Sequence, residues 1–155
     1  MGRSAAALAL LATLAAVVPA GCGSGGGVEE GASVHVYVGS ELCGEAREPL
    51  SAAQGKAGEV EVRIVCSKPV VRPAGRIDLA QQGANARRAS EDSAAVAFLE
   101  APGKVAKFAA PIVEEAGIAF VEAGDGAAGM ERVLAAIADA GTSGSPREKV
   151  ADALE

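Results

Sequence analysis

The strongest constraint on this chain lies in residues 84–124, ANARRASEDSAAVAFLEAPGKVAKFAAPIVEEAGIAFVEAG. Two short segments there, 95–99 and 118–121, are apolar at every position instead of every second one. A strand with one wet face alternates, whereas a strand apolar throughout is covered on both sides. The run therefore reads as helix, buried strand, helix, buried strand, and it demands a parallel sheet with helices on either face. The fold class is α/β.

With 155 residues the chain has room for one domain of ordinary size. It is 50% hydrophobic but only 3% aromatic, so its core has to be made of Ala, Val, Leu and Ile. The larger of these contribute about 1.5–3 kcal/mol each when fully buried, and Ala contributes less. The formal charge is −6, becoming −7 if Arg3 is removed with a leader segment. An acidic chain without a basic patch or stacking aromatics argues against nucleic acid as a partner.

The ordered pieces ANARRASED, an apolar strand, a loop, PIVEEAGI and a second apolar strand resemble the amino-terminal lobe of type 1 periplasmic binding proteins. Within that group they are most similar to the branched-chain amino acid (leucine, isoleucine, valine) substrate-binding component of ABC transporters. The resemblance implies a three-layer open parallel sheet of about four strands in the order 2-1-3-4, with helices on both faces. It spans residues 33–155 and implies only one of the family's two lobes. The last stretch, GMERVLAAIADAGTSGSPREKVADALE, resembles helices that in the full-length family follow the second lobe and return to pack on the first.

Residues 1–21 read as a targeting segment, with Arg3 as the charged start and an apolar stretch over 5–18 that is shorter than the roughly 20 residues a spanning helix needs. Small residues Ala20 and Gly21 before Cys22 resemble a bacterial lipoprotein processing site, which would make Cys22 the lipidated first residue of the mature protein. Pro19 departs from the aliphatic residue usual in that pattern. An ordinary signal peptide or an uncleaved anchor is the alternative. Residues 22–32 are Gly-rich and aperiodic, a flexible linker. The expected location is the extracytoplasmic face of the cell membrane, held by the lipid.

The first strand, 33–38, places Val34, Val36 and Val38 on one face and His35 and Tyr37 on the other. His35 is the one histidine, with no Cys, His or carboxylate cluster in its spacing, and reads as structural. A helix is expected over 45–54 with Pro49 in its first turn, then a turn at GKAG. The second strand, 59–66, alternates Val60, Val62, Ile64 and Cys66 against Glu59, Glu61, Arg63 and Val65, which marks an edge. In the resembling family this strand lies beside the first. Cys43 and Cys66 would then share one rim of the sheet, and in an exported chain they pair as a disulfide stabilising by roughly 3 kcal/mol; a pair of free thiols is the alternative.

A second helix is expected from Asp78, its cap, to Glu91, with Leu79, Ala80, Gly83, Ala84 and Arg87 on its inner side and Arg87 and Arg88 favourably near its carboxyl end. An anion site at Arg87 and Arg88 is the alternative. After the third strand, 94–99, Pro111 should interrupt or restart a helix, and Gly117 should stop it before the fourth strand. A helix over 128–140 carries the stripe Met130, Val133, Leu134, Ile137 and Ala138. Ser145, Pro146 and Glu148 form a capping box opening a last helix with Val150 and Leu154 inward.

The resemblance also implies where a ligand would sit, at the loops after the third and fourth strands, where the family uses hydroxyl side chains to hold an amino acid carboxylate. The matching positions are Gly103 and Lys104 in the first loop and Glu122, Gly124, Asp125 and Gly126 in the second. Gly103 and Glu122 stand where the family has serine, and Gly126 where it has a small hydroxyl residue. Glu122 and Asp125 would repel a carboxylate, whereas Lys104 and the helix start near Gly103 could attract an anion. The expected function is a lipid-anchored, substrate-binding-like protein with reduced or altered ligand binding, taking an amino acid or small anion weakly and meeting a permease or a second copy of itself. The alternative is an envelope interaction module that uses the sheet rim. No nucleophile elbow, His–acid pair, phosphate loop or metal spacing is present in the sequence, so neither an enzyme nor a cofactor is expected.

Overall fold

The computed structural model describes residues 33–141 and 145–154. The targeting segment, Cys22 and the linker lie outside them. Among these residues five strands and five α-helices follow in the order β1 (Val34–Val38), α1 (Cys43–Ala52), β2 (Lys56–Ala57), β3 (Val60–Cys66), α2 (Leu79–Ser90), β4 (Ala95–Glu100), α3 (Lys104–Glu115), β5 (Ala119–Glu122), α4 (Gly126–Ala140) and α5 (Pro146–Leu154). The sheet order is β2-β3-β1-β4-β5. β3, β1, β4 and β5 are parallel neighbours, which is the expected order of the four long strands.

The fifth strand was not expected. Lys56 and Ala57, in the GKAG segment assigned to a turn, fold back antiparallel against Glu61 and Val60. Gly55 and Gly58 take positive φ of 78° and 60°, the conformation in which glycine costs least, so the reversal still leaves two residues free to pair. β2 thereby shields the first residues of the β3 edge.

The layers follow from side-chain alternation. Val34, Val36, Val38, Val60, Val62, Ala97, Leu99, Ala119 and Val121 point to one face, where α1, α4 and α5 cover them with Ala46, Met130, Val133, Ile137 and Val150. The opposite face carries Tyr37, Phe98 and Phe120, register partners across three strands, stacked with centroids 6.3 and 6.0 Å apart. Three of the chain's four aromatic residues stand in that row. Alanines 86 and 89 of α2 and Ala109 and Val113 of α3 close over it; their small size lets the helices lie near the sheet. β4 is buried at all six positions, the five of its unbroken apolar run and Glu100 after them.

Several local expectations are corrected. α1 starts at Cys43, so Pro49 lies in its interior, half-buried, instead of its first turn. Pro111 does not interrupt α3, which runs unbroken across it; Pro111 and Lys107, whose carbonyl loses a donor, are both exposed, where water can satisfy it. The inner face of α2 is Gln82, Gly83, Asn85, Ala86 and Ala89; of the residues expected there Gly83 is buried, but Leu79, Ala80, Ala84 and Arg87 are exposed. The rotation buries two amides because both find partners at the sheet rim. On α4, Ala136 turns inward in place of Ala138. Asp78 does cap α2, accepting from the Gln81 N–H at 3.1 Å.

The cysteines pair as expected: Cys43, at the start of α1, and Cys66, at the end of β3, form a disulfide with a Cα–Cα distance of 5.8 Å.

Candidate functional site

β1 and β4 are neighbours whose chains depart in opposite directions. From β1 the chain crosses through α1 to β3 on one face, and from β4 it crosses through α3 to β5 on the other. A crevice opens at the carboxyl ends of two such strands, and this is where open α/β sheets hold ligands. Here it is a cavity of about 200 Å³ walled by Ser40, Glu41, Glu100, Lys104 and the aliphatic side chains of Val70, Val71, Ile77 and Val105.

Glu100 is the central group. It ends β4 with only 4% of its surface exposed. One carboxyl oxygen accepts from Gln82 Nε2 at 2.9 Å and the other from the Ala101 backbone N–H at 3.1 Å. Burial pushes the carboxyl pKa up, the two hydrogen bonds offset part of this, and the charge of Glu41 adds to it. No cation among the described residues pairs with it. Gly39, just past β1, provides the space: a Cβ there would overlap Glu100 Oε1.

The carboxyl is braced from behind. Gln82 is fully buried; its Oε1 accepts from Asn85 Nδ2 at 3.4 Å, and Asn85 in turn grips the Lys68 backbone, donating to its carbonyl at 2.8 Å and accepting from its N–H at 3.3 Å. One amide network thus joins the end of β4, α2 and the segment after β3. The Ser67 hydroxyl, buried in the same segment, has no partner among the described residues.

One wall is a small hairpin in which Val71 pairs with Ile77 and the Arg72 N–H donates to the Arg76 carbonyl. It turns at Ala74 and Gly75, both at positive φ, and the Arg72 guanidinium closes on the Asp78 carboxylate. Val71 and Ile77 remain 47% and 42% exposed on its lip.

Of the positions carried over from the resemblance, Lys104 alone lines the cavity. Gly103 caps α3 at φ 137°, without a side-chain bond to the helix start. Glu122 and Gly124 are exposed. Asp125 caps α4, accepting from the Ala128 N–H at 2.8 Å, and Glu45 of α1 accepts from the Gly126 N–H at 2.8 Å. Two of the protein's own carboxylates therefore occupy the start of α4. Gly126 is buried against α1, where a Cβ would lie 2.5 Å from the Leu42 carbonyl oxygen.

Sequence reasoning places Glu100 only at the head of the loop after the third strand, with no role of its own, and does not single out Gln82. A carboxylate placed directly after five buried apolar residues was the available signal; that Gln82 faces it depends on the rotation of α2. His35 lies at the other end of the sheet, its Nδ1 2.7 Å from Asp92 Oδ2, and the Tyr37 hydroxyl donates to the same oxygen at 2.9 Å. Burial pushes the Asp92 carboxyl up, but bonds from His35, the Ala94 N–H and Tyr37 outweigh it and hold it below its ordinary value. Burial, reinforced by the bond to Asp92, raises the Tyr37 hydroxyl to about 12. Arg87 and Arg88 are exposed in the last turn of α2.

Comparison of the chain with family models, with curated proteins and with solved structures found no match in any of the three.

Proposed function

We propose that this chain is a lipid-anchored, extracytoplasmic binding lobe of the type 1 periplasmic kind, related to the substrate-binding components of branched-chain amino acid transporters and altered in its ligand contacts. The observation that carries the proposal is the cavity between the carboxyl ends of β1 and β4, with charged groups and an aliphatic wall converging on it. The disulfide suits an oxidising compartment outside the cytoplasm.

At about 200 Å³ the cavity is smaller than the several hundred Å³ usual for an enclosed ligand site, so one face of the ligand stays uncovered. Affinity for a free small molecule is then weak unless a permease or a second copy supplies the opposite wall. A thermal-shift and calorimetric screen against leucine, isoleucine, valine, small amines and small anions tests the proposal. Responses that stay flat at millimolar ligand would sink it. The second reading, an envelope interaction module, is favoured by the exposed Val71 and Ile77 on the cavity lip. It predicts no ligand response and a concentration-dependent sedimentation coefficient. The anchor is tested separately: Cys22→Ala should abolish lipid labelling, and labelling that persists rules out Cys22 as the site.

A further inference from the structure

We propose that the cavity takes a small protonated amine with a compact aliphatic body, and that Glu100 is the group that receives its ammonium. The inference rests on the binding reading above and specifies the class of ligand.

A carboxyl buried in a protein is ordinarily matched by a cation or removed by substitution, because burying its charge unpaired costs several kcal/mol. Glu100 is held in the cavity wall with no cation among the described residues beside it. Its partners are one amide and one backbone N–H, each using a single acceptor site and leaving others free. The surroundings are also shaped to this side chain. Gly39 leaves the volume that Oε1 fills, and Gln82, itself fully buried and braced by Asn85, fixes the other oxygen. A carboxyl serving only to hold α2 to the sheet could be an amide and avoid the charge.

The remaining walls identify the ligand. Glu41 adds a second negative charge to the cavity, and Lys104, exposed at the rim, is the one cation lining it among the described residues. An ammonium directed at Glu100 would gain from both carboxylates, whereas a bare carboxylate directed there would be repelled by both. Val70, Val71, Ile77 and Val105 offer an aliphatic surface for a short branched chain. A volume near 200 Å³ has room for such a molecule.

The test titrates the full chain in detergent with three probes of similar shape: isoamylamine, leucine and 4-methylpentanoate. Isoamylamine and leucine should bind and 4-methylpentanoate should not, and Glu100→Gln should weaken isoamylamine by at least about tenfold. If Glu100→Gln folds poorly, the wild-type protein still decides the question. Carbon NMR of the Glu100 carboxyl should show its pKa falling when isoamylamine saturates the site, as a neighbouring ammonium requires. Binding of 4-methylpentanoate as tight as that of isoamylamine, or a Glu100 titration unmoved by bound amine, overturns the assignment and leaves the binding reading standing. Binding of none of the three overturns both.

Discussion

Arg147 offers the sharpest test of how this fold is held together. It is the second residue of α5, and its guanidinium donates three hydrogen bonds to backbone carbonyls: Nη2 to Asp92 at 2.7 Å, Nε to Ala95 at 2.9 Å and Nη1 to Ala116 at 2.9 Å. Those carbonyls lie before β4, at its first residue and at the end of α3, so one side chain ties α5 to three separate segments. A hydrogen bond from a charged donor contributes roughly 1.5–3 kcal/mol. Three in full would exceed what a half-exposed group can supply, because water reaches the carbonyls once the guanidinium is gone. We expect Arg147→Ala to cost about 3 kcal/mol, a large share of a domain stability of roughly 5–15 kcal/mol. Arg147→Lys should recover little, since an ammonium cannot span the planar fork. Urea unfolding measures both, and with a slope of about 1–3 kcal/mol/M the midpoint of the Ala variant should fall by about 1 M or more. A loss under about 1 kcal/mol, or a Lys variant as stable as wild type, would refute the tether.

Removing the disulfide as Cys43→Ala with Cys66→Ala frees a loop with a sequence separation of 23. The double variant should lose roughly 3 kcal/mol in the chain-entropy model, and equal stability of oxidised and reduced wild type would contradict it. Glu100 should make stability pH-dependent with the sign opposite to an ordinary paired carboxylate. Its folded pKa is raised above 4.5, so the folded state keeps a proton that the unfolded state has released, and stability falls as pH climbs from 4.5 through the folded value. Glu100→Gln should therefore gain on wild type in unfolding midpoint as pH rises through that window, and a difference constant with pH would exclude the burial. Asp92, held low, works the other way: its contribution is present above the ordinary carboxylate range and is lost on acidification through its folded pKa. Gly126→Ala should destabilise by about 1–3 kcal/mol, because the new Cβ meets the backbone of α1 at Leu42. An unchanged melting temperature would mean that α1 and α4 are not packed as described.

Local sequence determined the layers. The unbroken apolar run of β4 requires cover on both faces, and the alternation in β3 already separates inward valines from charged residues. Asp78 and Asp125 show the limit of such reading. Asp78 is a cap visible from its position alone, whereas Asp125, carried over as a ligand contact, caps α4 beside Glu45, a residue far away in the chain. The rotation of α2 was also illegible. The apolar residues Leu79, Ala80 and Ala84 stay exposed while Gln82 and Asn85 go inside, because the partners of those amides, Glu100 and the Lys68 backbone, come from other segments. Periodicity registers which residues dislike water, and it cannot weigh a polar group whose partner arrives only on folding. For the same reason the cavity at the switch point, the unpaired carboxyl within it and the grip of Arg147 on three carbonyls were decided by the tertiary structure.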